Sequence, residues 1–342
     1  MQNRNRRIDT MNGIGILFVV LGHYGSYITT NDWTEWIWSW HMPLFFVTSG
    51  YLFSMKEDKN LRNGLFQFFM HNIKTVLLPY CLFAMLYWCV HLFGGATISS
   101  SAELLKALLL GGGYLENVFL PLWFLQLFFI VKMLYWMIIH VRAKNRFVYH
   151  LIAIIILVGT VPFQSVVTGR PPYHINALPA GIVFMMMGDL LNEFEKNSTI
   201  ISLLEKEFLS GIEVKELLAS VLLVLGSIVA CDSPGNVGHI TTLWYFVGAA
   251  ATILAVYIIS DFIHLGLLEL WGQYSLIILG FHGITGAISR QLFEYRLLKN
   301  WNGFLKNFVL VGIQMLMLTA LIVVWHYSRK WFDERLKHYI MH

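Results

Sequence analysis

Charge is scarce in this sequence. Asp, Glu, Lys and Arg make up 13% of its 342 residues, about half the share found in soluble globular domains. So thin a polar supply cannot solvate a chain on all sides, which sets aside a soluble enzyme or a soluble binding module. The formal net charge of +4 is spread over connections between apolar runs, so it reads as a membrane-orientation signal and leaves no case for a nucleic-acid partner. Cysteine is scarce too. Cys81, Cys89 and Cys231 have neither disulfide-framework nor metal-ligand spacing, and helix packing is the role left to them. No P-loop, HExxH or GxSxG motif occurs, so ATP-driven transport and serine-hydrolase chemistry lack support. Internal repeats and low-complexity tracts are also missing.

What fills the space is apolar: 57% of residues are hydrophobic and mean hydropathy is +0.61. Runs of about 20 residues recur from end to end, the length that crosses a bilayer. They predict an all-α, polytopic helical membrane bundle, one domain over residues 1–342, with about ten spans. These fall near 13–30, 36–55, 75–93, 118–140, 147–167, 176–191, 217–230, 241–259, 270–289 and 307–327. The first run has no small-residue cleavage pattern and reads as an uncleaved helix. Lys and Arg cluster in the N-terminal tail, at 56–74, at 141–146, at 192–216 and after 328, while the alternate connections are nearly bare. Both termini are therefore expected in the cytoplasm. The basic 290–306 connection (Arg290, Arg296, Lys299, Lys306) dissents. Residues 192–216 read as an amphipathic surface helix, and 101–112 as a shorter one on the other side.

One stretch does more than span. Residues 36–53, WIWSWHMPLFFVTSGYLF, set His41 beside Met42-Pro43 and carry Thr48 and Ser49. Polar groups at membrane depth are costly and line cavities or sites. Pro43 predicts a helix start or break there. In the first run, Asn12, Ile16, Val19 and His23 share a helical face, with Asn12 and His23 about 16 Å apart along the axis. The ninth run adds His282, with Ser275 and Ser289 seven residues to either side. A single membrane histidine is as well explained by packing against a backbone carbonyl. Three spans bringing imidazoles to similar depth point instead to a shared cavity. There histidine, with a pKa near operating pH, suits general-base chemistry. None of the three has a close-spaced ligand partner, so no metal is expected. Lys132, inside the fourth run, needs a partner or a snorkelling route.

Taken together, these residues resemble the membrane acyltransferase 3 family, and within it the fucose-acetylase-like O-acetyltransferases of bacterial envelopes. The resemblance rests on R-x-D…GIGILFVVLGH from Arg7 to His23 and WHMPLFFVTSGYLF from Trp40 to Phe53. KTVLLPY at 74–80, PLWFL at 121–125, ALPAG…GDLL at 177–191 and SL…H from Ser275 to His282 follow in order. It implies transfer of an acetyl or other short acyl group from cytoplasmic acyl-CoA, acetyl-CoA being the expected donor, to a hydroxyl of an envelope polysaccharide sugar or its lipid-linked precursor. The implied catalytic histidines are His23 and His41. Asn12, Ser49, Trp123, Ser275 and His282 are candidates for the substrate. Arg7, Lys74, Arg142, Lys144 and Arg146 are the cytoplasmic cations that could hold the CoA phosphates. Asn12 departs from the pattern, because the family commonly has Arg or Lys eleven residues before this histidine. The expected setting is the bacterial cytoplasmic membrane, with the lipid bilayer, acyl-CoA and a sugar or glycolipid as partners; a homo-oligomer is compatible with the sequence. The rival function is a proton-coupled transporter or flippase of lipid-linked sugars, with the histidines as relays.

Overall fold

The computed structural model describes residues 5–24, 31–62, 64–93, 106, 108–111, 122–169, 171–209, 212–294, 297–301 and 303–340. Asn5 begins the first helix: its side chain accepts from the Ile8 amide at 3.2 Å, and Asp9 sits in the first turn where the helix dipole favours an acid. α1 (Arg6–Gly22) therefore starts well before residue 13, where hydropathy alone places it, and ends with His23 as its C-cap. α2 (Asn31–Met55) runs unbroken through Pro43, correcting the expected start or break. A proline inside a helix removes one backbone bond, and Pro43 does so here in the middle of the protein, beside the buried Met42 and Leu44. The loop expected at 29–35 is thus helical from residue 31; residues 29 and 30 lie outside the described set.

Next come α3 (Glu57–Arg62), α4 (Leu65–Asn72), a π-helical turn (Ile73–Leu77) and α5 (Leu78–Phe93). α6 (Trp123–Lys144) and α7 (Arg146–Val166) are joined by Asn145 alone. A 3₁₀ turn (Pro172–Ala177) leads into α8 (Leu178–Glu195). Then follow α9 (Ser198–Leu204), strands β1 (Glu207–Leu209) and β2 (Ile212–Glu213), α10 (Val214–Asp232), α11 (Trp244–Phe262), α12 (Gly266–Gln273), α13 (Ser275–Ser289) with a π turn (Arg290–Glu294), and α14 (Gly303–Ile340). The amphipathic helix expected over 192–216 is instead the end of α8, one short helix and an antiparallel hairpin pairing Glu207 with Glu213 and Leu209 with Ile212. The helix expected at 101–112 lies largely outside the described residues.

Among the described residues, eight helical stretches are long and apolar enough to cross a membrane, from Leu65–Val90 to Leu305–Ser328. They match the third to tenth predicted spans. α1 and α2, carriers of the polar motifs, fall outside that set and occupy the centre instead. α2 packs most closely on α8 and also touches α1, α10 and α11, while α1 packs on α12, α2, α11 and α13. Close approach depends on absent side chains. At Gly50 a Cβ would collide with the Met185 backbone, and at Gly188 with Val47 and Tyr51; Gly13 and Gly272 do the same between α1 and α12. Pro172–Glu195 has 67% of its apolar window buried inside the protein, against 17% for Arg146–Val166 and Val214–Asp232. The last two present Leu151, Ile154, Ile155, Val158 and Val221, Val224, Leu225, Ile228 outward. Each set has the i, i+3, i+4, i+7 spacing of a lipid-facing stripe.

Ion pairs gather at one end of the bundle. Arg142 bonds Asp189 (2.6 Å), Glu57 (3.0 Å) and Glu193 (2.5 Å), and Arg146 bonds Glu193 at 3.0 Å. Arg7 bonds Asp261, Tyr257 and Glu195, while Arg6 bonds Glu269. These contacts join the start of α1 to α8, α11 and α12, and the end of α6 to α3 and α8.

Candidate active site

At the opposite end, a cavity of about 930 Å³ opens between α1, α2, α6, α7, the 3₁₀ turn and the 233–243 connection. His23 and His41 line it, with Trp38, Trp123, His174 and His239. A second cavity of about 230 Å³ lies along the same helices towards the ion-paired end, lined among others by Asn12, Ser49, Ser275 and Phe128. Met42 and Leu279 belong to the walls of both.

His23 and His41 line the larger cavity together, whereas His282, expected in the same chamber, lines neither of these two cavities. The rings of His23 and His282 are 4.8 Å apart, centroid to centroid. His41 Nδ1 lies 2.6 Å from the Ile37 carbonyl and His282 Nδ1 lies 2.8 Å from the Leu279 carbonyl. A carbonyl only accepts, so each Nδ1 carries the proton, and in the neutral form of each ring the lone pair is on Nε2. Among the described residues no group bonds the buried His282 Nε2. Gln314 holds the backbone at this point, donating to the His282 carbonyl at 2.6 Å. Arg290 donates to the His23 carbonyl at 3.0 Å and stacks over Tyr24, 4.7 Å from its ring centre. In the smaller cavity Thr48 donates to Asn12 at 2.9 Å. The helical face that joins Asn12 to His23 in sequence thus runs from one chamber to the other.

The five expected phosphate-binding cations separate into two groups. Arg7 and Arg142 are committed to the acids named above, and Arg142 is only 7% exposed; neither offers a free guanidinium fork. Arg146 is mostly exposed despite its bond to Glu193. Lys144 is exposed at the end of α6 and Lys74 is exposed in the π turn, next to Thr75 and Val76 of the smaller cavity. Lys132 meets the Phe128 ring at 5.3 Å. Asp189 is fully buried, and Arg142 and Tyr149 (2.8 Å) both bond it. In the dissenting basic connection, Arg290 has its His23 partner and Lys306 pairs with Glu294 at 3.1 Å; Arg296 lies outside the described residues. Among the described residues no group of three or more His, Cys, Asp or Glu is placed to hold a metal ion.

Some lining residues carry no sequence signal. Gln164, at the end of α7, donates to the carbonyls of Asn176 (2.9 Å) and Val237 (3.0 Å) and accepts from the Ile240 amide (2.6 Å). It staples the 3₁₀ turn to the 233–243 connection, forming the rim. In that turn Tyr173 (φ 57°) and His174 (φ 50°) are left-handed without being glycine, a strained state typical of binding rims. His174 sits 4.8 Å from the Trp123 ring.

The sequence model of the acyltransferase 3 family, described as an acyltransferase domain, matches residues 5–330. The chain belongs to this family. The match takes in both chambers and every residue that lines them. Comparisons with curated proteins and with solved structures give no match. In this acyltransferase the two motif-bearing helices are packed at the centre, α1 against α2, α11, α12 and α13, and α2 against α8, α10 and α11 as well.

Proposed function

We propose that the protein is an O-acetyltransferase of the bacterial cytoplasmic membrane, with both termini in the cytoplasm. It moves acetyl from cytoplasmic acetyl-CoA to a hydroxyl of an envelope polysaccharide sugar or its lipid-linked precursor. The observation that carries this reading is the pair of cavities meeting at Met42 and Leu279, with His23 and His41 on one side and Asn12, Ser49 and Ser275 on the other. Such a layout suits two substrates that arrive from opposite ends.

The donor's thin pantetheine arm enters through the smaller cavity, its nucleotide end near exposed Lys74 and Lys144. A volume of about 230 Å³ is too tight for a sugar chain. The larger cavity, about 930 Å³, is at the upper end of ordinary ligand sites. Trp38 and Trp123 there offer apolar ring faces, and the Asn176, Asn236 and His239 side chains offer polar contacts of the kind sugars use. His23 takes the proton of the acceptor hydroxyl as its oxygen attacks the thioester carbon. The new C–O bond forms, the C–S bond breaks, and the CoA thiolate recovers a proton from the imidazolium. His41, also lining the larger cavity, offers its Nε2 lone pair to a neighbouring hydroxyl of the acceptor.

The test is CoA release from acetyl-CoA by membranes carrying the protein, with mass analysis of envelope glycans from cells with and without it. Loss of a glycan acetyl group together with His23-dependent CoA release is the expected result. Movement of a lipid-linked sugar without CoA release would replace this reading with the transporter.

A further inference from the structure

We propose that Met42 and Leu279 form a constriction that selects the donor by the length of its acyl group. This rests on the acyl-transfer reading above. Both side chains are buried, at 8% and 6% exposure, and both border the two cavities. The change of chamber happens at one level on four helices. On α2, Trp38 and His41 face the larger cavity and Phe45 and Ser49 the smaller, with Met42 between them. On α13, Ser275 and Leu276 face the smaller cavity and Leu279 closes the series. α1 changes between Ile16 and Val19, and α6 between Trp123 and Phe124.

A thioester coming from the smaller cavity leads with its acyl tail. The tail has to fit between Met42 and Leu279 before the carbonyl carbon reaches the acceptor oxygen beside His23. A methyl group asks for little room there; each further methylene has to displace a buried side chain or intrude on the acceptor's chamber. The constriction is also tied to the imidazoles. His41 precedes Met42 in the same helical turn, and the Leu279 carbonyl holds His282 Nδ1 at 2.8 Å. The two selecting side chains are therefore held in register with the histidine cluster. One methylene in an apolar pocket changes kcat/KM by about 10–200-fold, enough for two residues to set the preference.

The experiment uses membranes containing the full chain and their endogenous acceptors, supplied in turn with labelled acetyl-, propionyl- and butyryl-CoA. Label in glycan is counted per mole of folded protein. Wild type should favour acetyl. Met42→Ala and Leu279→Ala should raise the butyryl-to-acetyl ratio at least about tenfold, and Leu279→Phe should lower the propionyl-to-acetyl ratio. If an alanine variant does not fold, Met42→Val and Leu279→Val carry the same test with a smaller shift in the same direction. An unchanged ratio in folded variants overturns the inference while leaving acyl transfer intact. Absence of label from every donor in wild-type membranes overturns the acyl-transfer reading itself.

Discussion

The imidazoles of His23 and His282 lie 4.8 Å apart and tilted by 39°, one at the end of α1 and the other buried inside α13. His282 Nδ1–H donates to the Leu279 carbonyl, and its Nε2 has no partner among the described residues. The open ring of His23 thus has as its neighbour a buried imidazole whose Nδ1 is tied to the backbone. Loss of a general base typically slows a reaction by about 10²–10⁴, and His23→Ala and His23→Gln should both do so. His282→Gln should lower kcat less and change its pH dependence, with the KM for acetyl-CoA unchanged. The measurement is acceptor-dependent CoA release per mole of folded protein. A His23→Gln enzyme that keeps most of its turnover would make His23 a packing residue.

Arg142 and its neighbours separate folding from donor binding. Arg142 is buried among three acids, and removing one partner of such a cluster costs about 3–5 kcal/mol. Arg142→Ala should therefore reduce the yield and melting temperature of solubilised protein. Charge removal at exposed Lys74 and Lys144 should instead raise the acetyl-CoA KM, by an amount that shrinks as salt is added. An unchanged KM would reduce these two lysines to orientation signals.

The α2–α8 contact gives a stability prediction with its own control. A methyl group at Gly188 would strike the Val47 carbonyl and the Tyr51 amide, whereas one at Gly159 in α7 meets nothing within 4 Å. Gly188→Ala should cost about 1–3 kcal/mol as an overpacked contact. Gly159→Ala should be neutral or slightly stabilising, since alanine is the better helix former. Thermal unfolding of both variants in the same detergent checks the difference.

The helical bundle was legible in the apolar runs themselves, and the candidate site residues in what interrupts them: a polar residue in a long apolar run stands out, and its cost implies a use. Asn12, Ser49, Ser275, His23, His41 and His282 all stood out in that way. Arg142 did not, because in sequence it belongs to a basic turn with Lys144 and Arg146. Its acid partners are 47 and 85 residues distant or lie at Glu193, and only folding brings them near. The left-handed pair Tyr173 and His174 is unmarked for a related reason. Non-glycine residues enter that region when surrounding contacts force them, and those contacts come from Trp123 and the Gln164 staple. Hydropathy also misplaced the first helix, since its start is set by the Asn5 cap rather than by apolarity.

The bundle has a charged end and a histidine end, and the direction in which they face is open to a direct test. Arg142–Glu57 joins the end of α6 to the residues just after α2, and Arg7–Glu195 joins the start of α1 to the end of α8. Asn145, between α6 and α7, therefore lies at the charged end, while Asn31, at the other end of α2, lies towards the histidines. Lys and Arg are retained on the cytoplasmic side. Two of the four basic residues that contradict this, Arg290 and Lys306, are bound within the protein, which weakens their weight as orientation signals. In intact cells, a membrane-impermeant thiol reagent should label a cysteine placed at Asn31 and spare one placed at Asn145, in a background lacking Cys81, Cys89 and Cys231. Permeabilised cells should label both. The reverse pattern in intact cells would put the His23 chamber in the cytoplasm, where acyl-CoA and acceptor would meet without crossing the Met42–Leu279 junction, and the two-sided mechanism would fall.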